Sequence, residues 1–273
     1  MSIAIDHIGE IWVKIGRWWR KSICVTIAAI DKDQHGGYYN WGTHLSEEAL
    51  TKRGAEADAL YKQAYEKFAA AVAINPSKHQ AFYNWGCALS DQAATKEGTE
   101  AEDLYVQVCD KYAAAVAIKP DKYDALYNWG NALFFLAMSK TGYEANAILE
   151  QACEKYSASA VIKPRQWKPI YGCGISMLAQ AKIKNSSEQH ERNRLLNQAK
   201  KMMLKCESIR PGEAAYILAC ITALLGEERD CLAWLATGRH FRKLQERERL
   251  DTEPDFDQVR GTVWFKDFLD GMN

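Results

Sequence analysis

Long apolar runs are missing from this 273-residue chain. A membrane-spanning helix needs roughly 18 or more consecutive apolar residues, and the longest candidate, Ile23 to Ile30, falls far short. A secretory leader is not expected either. Lys14, Arg17, Arg20 and Lys21 interrupt the apolar N-terminus, and no small-residue cleavage site follows. Net charge is absent too, with 35 Lys and Arg against 35 Asp and Glu. A dedicated nucleic-acid binder carries a basic excess, so nucleic acid is not the expected partner. Signatures of chemistry are also lacking. There is no Cys-x-x-Cys pair, no His-x-x-x-His or Glu-x-x-His pairing, no Gly-x-Ser-x-Gly elbow and no glycine-rich phosphate loop. The chain is therefore read as a non-enzyme, with no catalytic residue, no metal site and no cofactor.

What the sequence does contain is repetition, against an ordinary background of 48% hydrophobic and 26% charged residues. Tyr39-Asn40-Trp41-Gly42 recurs as Tyr83-Asn84-Trp85-Gly86 and as Tyr127-Asn128-Trp129-Gly130, each 44 residues after the last. A decayed copy, Tyr171-Gly172-Cys173-Gly174, follows at the same step. Gly54, Gly98 and Gly142 keep the beat, as do Phe68, Tyr112 and Tyr156. So do three of the six prolines, Pro76, Pro120 and Pro164.

Each unit reads as two helices. Phe82, Trp85, Gly86, Leu89 and Ala93 fall on one face at helical spacing, and Leu104, Val108, Tyr112 and Ala115 form a second stripe. Thr95-Lys96-Glu97-Gly98 between them reads as the C-terminus of the first helix. Pro120 ends the second, because proline disfavours helix in the residue before it.

These residues resemble the tetratricopeptide repeat family. The likeness rests on Phe82, Trp85 and Gly86 in the first helix, here called helix A. In the second, helix B, it rests on the Ala64, Phe68, Ala71, Pro76 pattern and its later copies Ala152, Tyr156, Ser159, Pro164 and Ala199, Met203, Cys206, Pro211. Leu218, Ala219, Gly226, Cys231 and Leu235 look like a shorter fifth unit. Glu253 to Asp257, continuing to Phe265 and Phe268, resembles the motif that closes many such arrays. The family period is 34 residues, so this is a long-helix variant. The ten extra residues fall near the A–B turn; shared equally, they add roughly 7.5 Å to each helix.

The resemblance implies an all-α, right-handed solenoid of antiparallel helix pairs forming one continuous domain. The expected parts are a capping helix at 1–32 and repeats at 33–76, 77–120, 121–164, 165–211 and 212–245. A C-terminal capping segment follows at 246–273. In residues 1–32, Ile8, Ile11, Trp12, Ile15, Trp18 and Trp19 make an apolar face. A cap, a partner-docking helix and a membrane-surface helix all remain open for it.

The eight cysteines fit the register as small hydrophobes. Cys206 and Cys231 occupy alanine slots, Cys109 and Cys153 are equivalent, and Cys173 replaces the motif tryptophan. All eight are expected to be reduced, in the cytoplasm or another reducing compartment.

The function the resemblance implies is a scaffold or adaptor that holds a partner protein or peptide in the inner groove lined by helices A. Tyr39, Tyr83, Tyr127 and Tyr171 are placed on that groove, followed by Asn131 and Phe134 one and two turns further along repeat three. Tyrosine suits a contact surface and is equally common as scaffold there. The subset of the family that grips a carboxylate needs a lysine where these tyrosines stand, which excludes that clamp. Charge runs unevenly: −6 over 33–162 and +8 over 163–210. Arg165 and Lys168 in the basic stretch are candidates for meeting an acidic segment of the partner. The stretch otherwise complements acidic neighbouring repeats or a second copy of the chain. A nucleic-acid-associated protein using the basic fourth repeat, with Trp167 beside Arg165 and Lys168, is the alternative reading.

Overall fold

The computed structural model describes residues 34–272. The Trp-rich segment assigned to a cap at 1–32 lies outside the described residues. Twelve α-helices and no strand occur among those described, which is the all-α class the sequence implied. The chain divides into two compact units, with the division between Ala125 and Leu126.

The first unit contains α1 (Gln34–Ala49), α2 (Gly54–Ile74), α3 (His79–Ala93), α4 (Gly98–Ile118) and the start of α5 (Tyr123–Met138). The second contains the rest of α5 with α6 (Gly142–Ile162), α7 (Trp167–Ile183), α8 (Gln189–Ile209), α9 (Ala215–Leu224) and α10 (Glu228–His240). It closes with α11 (Arg247–Thr252), a 3₁₀ turn at Pro254–Phe256 and α12 (Val263–Asp270). Within each unit, neighbouring helices pack as antiparallel pairs: α1 on α2, α3 on α4, α6 on α7, α7 on α8 and α9 on α10.

Two kinds of glycine shape these pairs. Gly98 was read as ending helix A, but α3 stops at Ala93 and Gly98 is the first residue of α4. Its φ is +60°, with no atom within 4 Å of a built Cβ. The left-handed conformation, not space, is what it supplies where the chain reverses. Gly86 is the opposite case. A Cβ there would lie 2.7 Å from the Tyr112 ring, so the absent side chain lets α3 lie against α4. The long helices end on their prolines: α2, α4 and α6 stop at Ile74, Ile118 and Ile162, two residues before Pro76, Pro120 and Pro164.

The cores follow from small–large–small seams at helical spacing. Ala64, Phe68 and Ala71 are fully buried on α2, as are Ala199, Met203 and Cys206 on α8. Farther on, α9 is buried on all sides, with Leu218, Ala219, Cys220, Ile221, Thr222 and Ala223 nearly inaccessible. Thr222 tolerates this by donating its hydroxyl to the Leu218 carbonyl at 2.7 Å. Phe256, Phe265 and Phe268 from the C-terminal segment complete the surrounding core with Cys231, Leu235 and Leu250.

That segment is also tied by charge. Lys182 of α7 reaches the buried carboxylate of Asp255 at 2.6 Å. Removing one partner of such a pair leaves a charge without compensation. Lys182→Met is therefore expected to lower stability by about 1–3 kcal/mol, with Asp255→Asn in the same chain recovering most of it, as read by chemical denaturation.

One expectation is corrected. The cysteines were read as reduced, yet Cys153 and Cys173 form a disulfide, with Cα atoms 4.5 Å apart. The reason is close helix approach. Gly172 and Gly174 flank Cys173, and a Cβ at Gly172 would meet the Tyr156 ring at 2.6 Å, so the α7 backbone lies directly against α6. Judging each cysteine within its own repeat hid the pairing. Cys87, Cys109, Cys206, Cys220 and Cys231 form no disulfide. Burial pushes the Cys206 and Cys231 thiols up to about 12, which makes them poor nucleophiles.

Candidate functional site: the tyrosine face of the shorter helices

In the first unit, Tyr39 on α1 and Tyr83 on α3 are both half-buried. Each rests on an aromatic ring of the following long helix: Tyr39 on Phe68 at 6.5 Å and Tyr83 on Tyr112 at 5.9 Å between centroids. The hydroxyl end of Tyr39 is held as well. The Asn84 amide donates to the Tyr39 hydroxyl at 3.0 Å and to the Thr43 hydroxyl at 3.1 Å. The motif asparagine at this position thus joins one pair to the next.

A lysine stands over each of these rings. Lys78 Nζ is 5.4 Å from the Tyr39 centroid and Lys122 Nζ is 4.6 Å from that of Tyr83, both within cation–π range. Sequence reasoning missed this pair, although the two lysines are 44 residues apart and each lies just before a helix that carries a motif tyrosine. The surface is therefore an aromatic one with cations laid on it.

In the second unit, Tyr127 packs on Tyr156 at 5.9 Å. Tyr156 donates its hydroxyl to the Asn131 Oδ1 at 2.8 Å, and burial raises its phenol well above the usual range. Asn131, read as a contact residue, is thus engaged inside the scaffold. Phe134 is half-buried and edge-on to Phe135. Tyr171 is largely enclosed, its phenol pushed up to about 12 by burial, and Trp167 meets it edge-on at 5.9 Å. Arg165 and Lys168 are exposed. The tyrosines therefore pack one side on the core and leave the remainder partly accessible.

The basic stretch is partly answered from within its own unit. Lys182 pairs with Asp255, Lys200 with Glu227 and Asp230, and Arg210 with Glu213. The Arg210 guanidinium also covers the Trp167 ring at 5.5 Å, the ring that a stacking base would need. Among the described residues no helix is long and apolar enough to cross a membrane.

Solved structures share this architecture. A structure of MamA aligns with a TM-score of 0.55 at 12% identity, covering 80% of this chain and 97% of that one. YrrB, described as a TPR protein with an unusual peptide-binding site, aligns at 0.54 and 15% identity over 81% and 98%. PilW, a type IV pilus biogenesis factor, aligns at 0.51 and 15% identity over 84% and 90%. The fold is that of a tetratricopeptide repeat protein. Within the chain, residues 29–124 match the family of the plant-specific mitochondrial import receptor subunit TOM20, about a third of its length and almost the whole described first unit. No curated protein matches the chain.

Proposed function

We propose that this protein is a non-enzymatic, receptor-like adaptor that takes a segment of another protein on the tyrosine face of its shorter helices, in the inner groove of a single repeat array. The supporting observation is the first unit, where Tyr39 and Tyr83 stand half-exposed under Lys78 and Lys122. The match to a receptor subunit covers those residues. Ring faces and hydroxyl tips favour a segment with apolar anchors, and the ammonium groups favour carboxylates on it. In the second unit, Arg165 and Lys168 are proposed separately as contacts for an acidic segment. The repeat boundaries drawn from the sequence belong to this proposal. So does location: the named family supports a station at the mitochondrial surface in preference to free cytoplasm, and the Cys153–Cys173 bond removes the thiol argument for a reducing compartment.

The test is a titration of labelled 15-residue peptides from host proteins onto the full chain. For the tightest binder, Tyr39→Ala with Tyr83→Ala should cost at least tenfold in Kd at any salt, about 1.4 kcal/mol or more. Lys78→Glu with Lys122→Glu should weaken binding mainly at low ionic strength. Undiminished binding by the tyrosine variant, with its helical circular dichroism intact, would overturn the proposal.

A further inference from the structure

A ring on a long helix of the first unit fills a slot whose counterpart in the second unit carries no ring. Tyr65 of α2 stacks on Trp85 of α3, with centroids 6.4 Å apart and planes 22° from parallel. The Tyr65 hydroxyl donates to Gln92 Oε1 at 2.7 Å, Gln92 Nε2 donates to Asp58 at 2.7 Å, and Lys96 pairs with Asp58 at 2.8 Å. The Lys96 ammonium, and then the Gln92 amide, hold the Asp58 carboxyl below its usual value.

Moving 88 residues along gives Asn146, Cys153, Cys173, Gln180 and Lys184 in place of Asp58, Tyr65, Trp85, Gln92 and Lys96. The polar frame is kept while both rings are gone. Cys153 and Cys173 are joined by the disulfide, and beside Cys153 the helices α6, α7 and α8 border a cleft of about 460 Å³ that Met177 also lines. Gln180 also lines it and is only 4% exposed. Its amide reaches Asn146 at no better than 3.4 Å, and the phenol that Gln92 receives has no equivalent here. At the rim, Lys184 and Arg194 are engaged by Glu188 and Glu191. Glu150 and Glu154 are both exposed at the cleft mouth, Glu150 accepting from the Asn146 amide at 3.2 Å and Glu154 lying 4.0 Å from Lys155.

We infer that this cleft receives a tyrosine side chain from a partner protein, next to a basic residue of that partner. The ring would stand where the Tyr65 ring stands in the first unit, beside Cys153 and Met177, whose sulfur atoms are favourable partners for aromatics. Its hydroxyl would donate to Gln180, and the adjoining cation would meet Glu150 and Glu154. The site is built from the long helices and α7, so it does not depend on the tyrosine face proposed above.

Ligand-observed NMR on the full chain tests it with tyramine as the probe. Tyramine should bind at least fivefold tighter than phenethylamine, which lacks the hydroxyl, and than 3-(4-hydroxyphenyl)propionate, which lacks the cation. A capped lysine–tyrosine–lysine tripeptide should bind at least as well as tyramine. Cys153→Tyr with Cys173→Ala, which returns a ring to the position Tyr65 holds in the first unit, should abolish binding. Should that variant fail to fold, Glu150→Gln with Glu154→Gln at the exposed rim should weaken tyramine several-fold. Absence of tyramine binding, equal binding of the three small probes, exclusion of the tripeptide, or undiminished binding by a folded refilled or rim variant would each overturn the inference.

Discussion

Gly86→Leu should lower the melting temperature by about 6–12 °C. The added Cβ alone falls 2.7 Å from the Tyr112 ring, and that ring is 1% exposed with its hydroxyl donating to Cys87 at 3.4 Å. It has nowhere to move. Relief must come from separating α3 and α4, which gives up burial along the whole seam. Overpacking of this kind costs about 1–3 kcal/mol, occasionally more, and the leucine branches place this site at the upper end. Near 3 kcal/mol, a chain of this size shifts by about 2–4 °C per kcal/mol. Better helix propensity returns at most about 1 kcal/mol. Gly98→Leu makes a useful contrast: there the space is open but φ is +60°, so its loss should track backbone strain and appear equally for alanine. A Gly86→Leu chain melting with the parent would place Gly86 outside a helix contact.

Phe256→Ala should be the most damaging truncation in the C-terminal segment, at about 3–5 kcal/mol. The side chain is fully buried, 5.5 Å from Phe265 and 6.3 Å from Tyr216 between ring centroids. It fills the core shared by α9, α10 and the closing helix, so the void is walled by elements far apart in sequence and cannot collapse. Val263→Ala, at a side chain 75% exposed, should change stability by no more than about 0.5 kcal/mol. Equal effects of the two, measured by urea denaturation, would show that the segment does not close the core.

The helix pairs were legible because repetition supplies its own control. Phe68, Tyr112 and Tyr156 recur at one step, and a position that is large and apolar three times over faces a core. The glycines were harder, since Gly86 and Gly98 look alike as letters while one answers to a ring and the other to a dihedral angle. Asn131 was read as a groove contact and its amide oxygen accepts from Tyr156, while Asn84, given no role in the sequence, donates to Tyr39 and Thr43. The Cys153–Cys173 pair was invisible because the register aligns each residue with its copies, whereas the bond joins two different positions of the repeat. Lys78 and Lys122 were within reach: their 44-residue spacing is in plain view, but spacing alone does not place a charge over a ring.

The burial of α9 on every side has a consequence for the order in which the chain is made. Residues 215–224 leave the ribosome as an apolar cylinder, and α8 is already available to shield one flank. The remaining flank stays wet until α10 and the phenylalanines at 256, 265 and 268 have followed. At ordinary elongation speeds of about 5–20 residues per second, that interval lasts seconds, during which the nascent second unit presents the kind of sticky surface that chaperones hold.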